Sequence, residues 1–234
     1  MATLVSERTD QPWRRRLYLP SYQIAEAARY ADIAPQTVAA WHSIDKKLLS
    51  VRDERAPLSY MQLIEVAVVA AFRKMNVPMK NIRATRDYAK HHLKTEFPFA
   101  TFRFKEEARH LYLDSNQLDD VAPGSVVATD QGGQLAWQSF IGRLREFDYE
   151  DEHEGLALKW HVAGRGSPIV IDPRIAFGTP AVKGIATWVI KGRWEAGESG
   201  TDIAEDFVIN PEDVKEALRF EGVAGGGRQG SLVH

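Results

Sequence analysis

From Ile24 to Trp41 the apolar residues keep helical spacing across an interruption of only three residues, Asp32-Ile33-Ala34. Ile24, Ala27, Ala28 and Ala31 form one stripe, and Val38 and Trp41 resume it after Pro35, which stands where a first helical residue would. Ser21 precedes the first stripe as its expected N-cap. So short a break forces the two helices into a close crossing, and Ala25, Ala27, Ala28 and Ala31 are small enough to permit it. The pattern predicts a helix-turn-helix.

In such a motif the second helix stands proud of the surface and fits the major groove of DNA. With Val38 and Trp41 turned inward, Gln36, Thr37, Ala40 and Ser43 face outward. Glutamine pairs with adenine, and threonine touches a thymine methyl or a phosphate. The next stretch, "HSIDKKLLSVRDERAPLSY", is charged and turn-rich around Leu48, Leu49 and Val51. It reads as a small hairpin, a wing whose Lys46, Lys47, Arg52 and Arg55 grip phosphates and add affinity without sequence choice. Charge agrees: residues 1–115 hold 19 Lys and Arg against 13 Asp and Glu, a balance of +6, while residues 116–234 hold 11 against 19, a balance of −8. The basic half is the one suited to a polyanion.

Ser59 caps a strong helix over 60–75, with Leu63, Ile64, Ala67, Val68, Ala71 and Phe72 on its buried face. Asn76-Val77-Pro78 ends it, and a further helix over 79–93 has Ile82 and Tyr88 as core contacts. From Phe97 the period shifts toward two, so 98–114 reads as a hairpin with Phe99, Phe102 or Phe104, Leu111 and Leu113 as strand residues. Gly132-Gly133 reads as a turn, and a strand follows near 156–162. A short strand at 169–171 and helices over 187–196, 202–207 and from Pro211, capped by Asn210, make a second helical unit. The expected fold is α+β and mostly helical. It comprises a loose basic arm (1–16), a winged helix-turn-helix domain (17–115), a short β-hairpin connector (116–164), a trihelical, homeodomain-like domain (165–221) and a Gly-rich tail (222–234).

Two stretches carry a resemblance. "YQIAEAARYADIAPQTVAAWH" followed by "PLSYMQLIEVAVVAAFRKMNVPMKNIR" resembles the MerR-type winged helix-turn-helix, through its Tyr-x-Ile-x-Glu-Ala-Ala opening and the spacing of Thr37 and Trp41. "IDPRIAFGTPAVKGIATWVIKGRWEAGESGTDIAEDFVINPEDVKEALRFE" resembles a small domain of unknown function found in VapB-like antitoxins. It matches in Asp-Pro, Phe-Gly-x-Pro, Lys-Gly, Gly-Glu-Ser, Ile-Ala-Glu-Asp-Phe and Val-x-x-Ala-Leu. Together the chain resembles two-domain antitoxins of VapBC toxin–antitoxin pairs, mycobacterial ones especially. The resemblance implies a PIN-domain ribonuclease as partner, a homodimer, and repression of its own operon through operator DNA. Many VapB proteins are far shorter and bind DNA through a ribbon-helix-helix or AbrB-like part, so their neutralising contacts do not transfer. Trp188, Trp194 and Phe220 are candidate anchors for the toxin. Arg228 in the tail is a candidate plug for the carboxylates of its active site. Such aromatic residues at helical spacing also read as core.

Other chemistries find little support. The chain has no cysteine, which excludes disulfides and thiolate zinc sites and points to a reducing cytoplasm. No apolar run approaches the length of a membrane span. The sequence holds no nucleophile elbow, phosphate loop or HExxH motif, and no catalytic residue, metal or cofactor is expected. The acidic run Asp148, Glu150, Asp151, Glu152, His153 and Glu154 reads as a solvated loop, with a hydrolase as the alternative. A second alternative is a MerR-like regulator without a toxin. The last helix carries Glu212, Asp213, Glu216 and Glu221 against Lys215 and Arg219, an acidic face that repels phosphate and leaves the second unit for dimerisation or toxin contact.

Overall fold

A computed structural model of the chain describes residues 12–43, 48–49, 56–102, 104–105, 107–108, 131–150 and 155–223. The architecture is α+β and mostly helical, with small antiparallel sheets. The chain divides into two compact units, 1–158 and 159–234.

In the first unit a single turn, α1 (Pro12–Arg16), leads to α2 (Ile24–Ala31) and α3 (Pro35–Trp41). Gln23, not Ser21, caps α2: the Glu26 carboxylate accepts a hydrogen bond from the Gln23 N–H at 2.7 Å. The Ser21 hydroxyl instead donates to the Leu19 carbonyl, so the helix begins two residues later than the serine suggests. Next comes α4 (Tyr60–Lys74), begun by a capping box in which Ser59 Oγ accepts from the Gln62 N–H and Gln62 Oε1 accepts from the Ser59 N–H. Its residues 63–72 are all buried, so α4 is apolar all round and forms the centre of the unit. Each fully buried Leu, Ile, Val or Phe side chain contributes about 1.5–3 kcal/mol by leaving water. Helix α5 (Met79–Leu93) buries Ile82, Thr85, Arg86 and Ala89, while Tyr88 is half-buried and stacks on the His92 ring.

Where a hairpin is expected over 98–114, Pro98–Ala100 forms a 3₁₀ turn and residues 102, 104–105 and 107–108 are helical. Leu111 and Leu113 lie outside the described residues. The aromatic content favours a strand locally, but Phe99, Phe104 and Ala108 are all buried, and Phe99 and Phe104 pack with Phe140 around Phe72. Tertiary packing overrides the local preference. The expected connector likewise contains a helix, α6 (Gln131–Leu144), which absorbs Gly132-Gly133. Then β1 (Phe147–Tyr149) pairs with β2 (Ala157–Trp160).

In the second unit β3 (Ile169–Val170), β4 (Ala181–Val182) and β5 (Ile185–Ala186) form an antiparallel sheet in that order. Lys183 and Gly184 join β4 to β5 with φ of 48° and 88°, the two left-handed positions of a hairpin turn that matches strand twist. Helices α7 (Thr187–Glu195), α8 (Gly200–Phe207) and α9 (Pro211–Phe220) follow. Val182, Ile190, Ile203, Ala204, Val214, Ala217 and Leu218 make their core. The acidity of the second half lies elsewhere: residues 116–158 hold 2 Lys and Arg against 9 Asp and Glu, and residues 165–221 hold 7 against 10.

Candidate nucleic-acid interface

The joint between α2 and α3 is built from its backbone. Asp32 adopts the left-handed conformation (φ 56°), which a short polar side chain tolerates better than most. Its N–H donates to the Arg29 carbonyl at 3.2 Å, and the Ile33 N–H reaches back to the Ala28 carbonyl at 3.0 Å, satisfying the helix end. Ala34 then opens α3, accepting from the N–H groups of Thr37 at 3.0 Å and Val38 at 3.4 Å. Ala27, Ala28, Ala31, Val38 and Trp41 are buried along the crossing. Lys74 Nζ, at the end of α4, lies 2.8 Å from Asp32 Oδ2 and holds that carboxyl below its ordinary range.

On the outward side Gln36 is exposed, and Thr37, Ala40 and Ser43 are half-buried. The Ser43 hydroxyl donates to the Ala40 carbonyl at 3.0 Å, so it also closes the helix end. Lys46, Lys47, Arg52 and Arg55 lie outside the described residues. Leu49 and Leu58, on either side of Arg52 and Arg55, are bonded beside the helix pair. The Leu49 N–H donates to the Trp41 carbonyl at 3.1 Å, and Leu58 pairs with Tyr22 through bonds of 2.7 and 2.9 Å.

The second unit repeats this joint. Val208 is left-handed at φ 54°, its N–H donates to Glu205 at 3.1 Å, and the Ile209 N–H reaches Ala204 at 3.0 Å. Asn210 then accepts from Asp213 at 2.9 Å and Val214 at 3.3 Å, and Pro211 occupies the place of Pro35. Position for position, Ala27 and Ala28 correspond to Ile203 and Ala204, and Val38 to Val214, all buried. The counterparts of Gln36, Thr37, Ala40 and Ser43 are Glu212, Asp213, Glu216 and Arg219. Glu212 pairs with Lys215, Glu216 with Arg219, and Asp213 with Lys183 at 2.9 Å. Asp213 is therefore buried beside its lysine and off the displayed face, and Glu221 accepts a hydrogen bond from Thr187 Oγ1. The helix face is acidic with its cations neutralised locally, which disfavours phosphate.

The candidate toxin anchors separate. Trp188 is 61% exposed. Trp194 packs against the core, and Phe220 is half-buried. Arg228 lies outside the described residues. In the acidic run Glu150 pairs with Arg14, and residues 151–154 lie outside the described residues. Among the described residues no group of three or more His, Asp or Glu could hold a metal, and no helix is long and apolar enough to cross a membrane.

The structure adds a feature that the sequence reading missed. Glu65, on the central helix, is wholly buried. Its Oε2 accepts from Arg86 Nε at 3.0 Å and Nη2 at 2.8 Å, and its Oε1 accepts from the Phe99 N–H at 3.4 Å. Arg86 Nη2 also donates to the Glu96 carbonyl at 2.9 Å. Burial pushes the Glu65 carboxyl up to about 7, with Arg86 opposing it. A lone glutamate inside the run "LIEVAVV" was the available signal.

Residues 169–220 match a family described as a protein of unknown function, DUF433. A Mycobacterium tuberculosis (strain ATCC 25618 / H37Rv) protein named "Putative antitoxin VapB45" is 25% identical over 238 residues, spanning 89% of this chain and 97% of its own. The X-ray structure of Rv2018 from Mycobacterium tuberculosis superposes with a TM-score of 0.70 at 21% identity, over 87% of this chain and 99% of that one. It shares the fold.

Proposed function

We propose that this chain is the antitoxin of a type II toxin–antitoxin pair, which neutralises a PIN-domain ribonuclease by direct binding and represses its own operon. The observation that carries this reading is the end-to-end relatedness to a protein named as an antitoxin. The chain is a regulatory protein and not an enzyme. The helix pair of the first unit supports the manner of its action. It acts as a winged helix-turn-helix, with Gln36, Thr37, Ala40 and Ser43 at base edges and Lys46, Lys47, Arg52 and Arg55 on phosphates. A homodimer places two such helices on a palindromic site. The second unit, a trihelical homeodomain-like domain, repeats the joint but carries Glu212, Asp213 and Glu216 where DNA contacts would lie. Of those three, Glu212 and Glu216 are on the displayed face, and Asp213 is buried against Lys183. The unit serves toxin contact or dimerisation, with Trp188 as the most exposed aromatic anchor.

The test has two parts. Purification from native cells with an intact operon should bring down a nuclease of PIN type, and fluorescence anisotropy should show binding to DNA from upstream of the gene. For a dimer making about 6–10 phosphate contacts, affinity should fall by roughly 10³–10⁵ between 50 and 200 mM salt. DNA binding with no co-purifying nuclease would favour a MerR-like regulator without a toxin. Absence of both would refute the proposal.

A further inference from the structure

Helices α4 and α6 border an open cleft of about 350 Å³ at their C-terminal ends. Ala71, Met75 and Phe140 lie at its floor, each almost wholly buried, so only small edges of them reach the cleft. Ser139 and Gly142 border it, and a Cβ built at Gly142 would meet nothing within 4 Å, so the wall there is open backbone. Two cations and one carboxylate line it: Lys74, Arg143 and Glu146. The volume falls in the range of small-molecule sites, which combine apolar walls with a few placed polar groups.

The partners of the two cations decide what such a site would hold. Arg143 Nη1 spends both of its described bonds on Glu146, at 2.9 and 3.0 Å. Its planar fork has further donors to offer. Lys74 is held by Asp32, whose side chain is 84% exposed, so that pair is screened by water and easily exchanged. Arg143 also contributes to the potential that lowers the Asp32 carboxyl. Through Lys74 the cleft is tied directly to the left-handed residue of the joint between α2 and α3.

We propose that this cleft binds a small amphipathic anion, a carboxylate or phosphate on an apolar body, through Lys74 and Arg143. The apolar body lies on Met75 and Phe140, and the anionic head takes the Lys74 ammonium from Asp32. Asp32 is then left at the negative end of the α2 dipole without its counter-charge. Occupancy of the cleft is thus felt at the turn that sets the direction of α3. This makes the first unit a receptor as well as a scaffold, whether or not α3 reads DNA.

The experiment titrates the full ¹⁵N-labelled chain with phenyl phosphate and follows amide shifts, with inorganic phosphate and benzylammonium in parallel. Phenyl phosphate should shift Asp32, Lys74, Ser139 and Arg143 saturably, and inorganic phosphate should bind the same residues more weakly. Gly142→Phe, which fills the cleft, and Arg143→Gln should each weaken the phenyl phosphate complex by about tenfold or more, the loss of roughly one charge-assisted hydrogen bond or its equivalent in contact. Gly142→Ala keeps the space and should keep binding. Equal shifts with benzylammonium, inorganic phosphate binding as tightly as phenyl phosphate, or binding unchanged in folded Gly142→Phe would each overturn the proposal.

Discussion

Replacing Arg86 by methionine removes the only charge that compensates Glu65 among the described residues and keeps most of the side-chain volume. The carboxylate it strands is fully buried, and the bonds lost are the two from Arg86 at 2.8 and 3.0 Å and the one to the Glu96 carbonyl at 2.9 Å. Breaking one side of a buried pair costs about 3–5 kcal/mol. The loss depends on pH in a definite direction. In the wild type the Glu65 pKa in the folded state is about 7, above the 4.5 of a free glutamate, so the stability linked to this group is complete below 4.5 and declines as pH rises through 7. In Arg86→Met it rises further, and at pH 8 the pH-linked part of the penalty reaches up to about 1.4 kcal/mol, the worth of the one pKa unit between 7 and 8. At pH 5.5 both proteins carry the protonated acid and that part vanishes. Urea unfolding followed by circular dichroism at pH 8 and 5.5 should therefore show the larger deficit at pH 8. Glu65→Leu combined with Arg86→Met should recover much of the loss, because no charge is left buried. A single variant within about 1 kcal/mol of wild type at both pH values, or a double variant no better than the single, would show that the pair does not stabilise the core in this way.

Gln36→Ala should weaken binding to the preferred DNA by about 1–3 kcal/mol and narrow its margin over scrambled sequence, measured by competition anisotropy. An unchanged margin would remove Gln36 from base reading. Ser59→Ala deletes the cap of the central helix and should cost about 1 kcal/mol in urea unfolding; no loss would mean that Gln62 alone sustains the helix start. Gly184→Val places a branched side chain at φ 88° in the β4–β5 turn and should lower the melting temperature through about 1–2 kcal/mol of strain. Val208→Asn should do the reverse, relieving a β-branched residue at φ 54°, and a lower melting temperature would mean that Val208 makes contacts worth more than its strain.

Legibility followed how local the determining physics is. The starts at Ser59, Pro35 and Pro211 were readable, because a cap or a fixed φ acts within one turn of chain. The tight joint after Ala31 was readable from spacing alone. The segment around Phe99 and Phe104 was not, since aromatic residues suit a strand locally and only rings from distant parts of the chain, Phe72 and Phe140, make them core. Gly132-Gly133 misled for the same reason: glycine signals a turn unless a helix is held by its neighbours. At the candidate interface the outward setting of Gln36 was legible, because a helix has one period. The pairs that link distant segments, Glu65 with Arg86 and Lys74 with Asp32, left no periodic trace in the sequence. The position of Asp213 was misjudged likewise, since its partner Lys183 sits on a hairpin turn that the helical reading did not contain.

A joint that occurs twice with different outward side chains is an interchangeable fitting. Residues 24–38 and 200–214 are equal in length, turn at the same place and bond their backbones in the same way. What each helix meets is therefore written in a handful of outward letters, while the grammar beneath them stays constant. Exchanging Glu212 and Glu216 with Gln36 and Ala40 swaps the two vocabularies and leaves the main chain where it was.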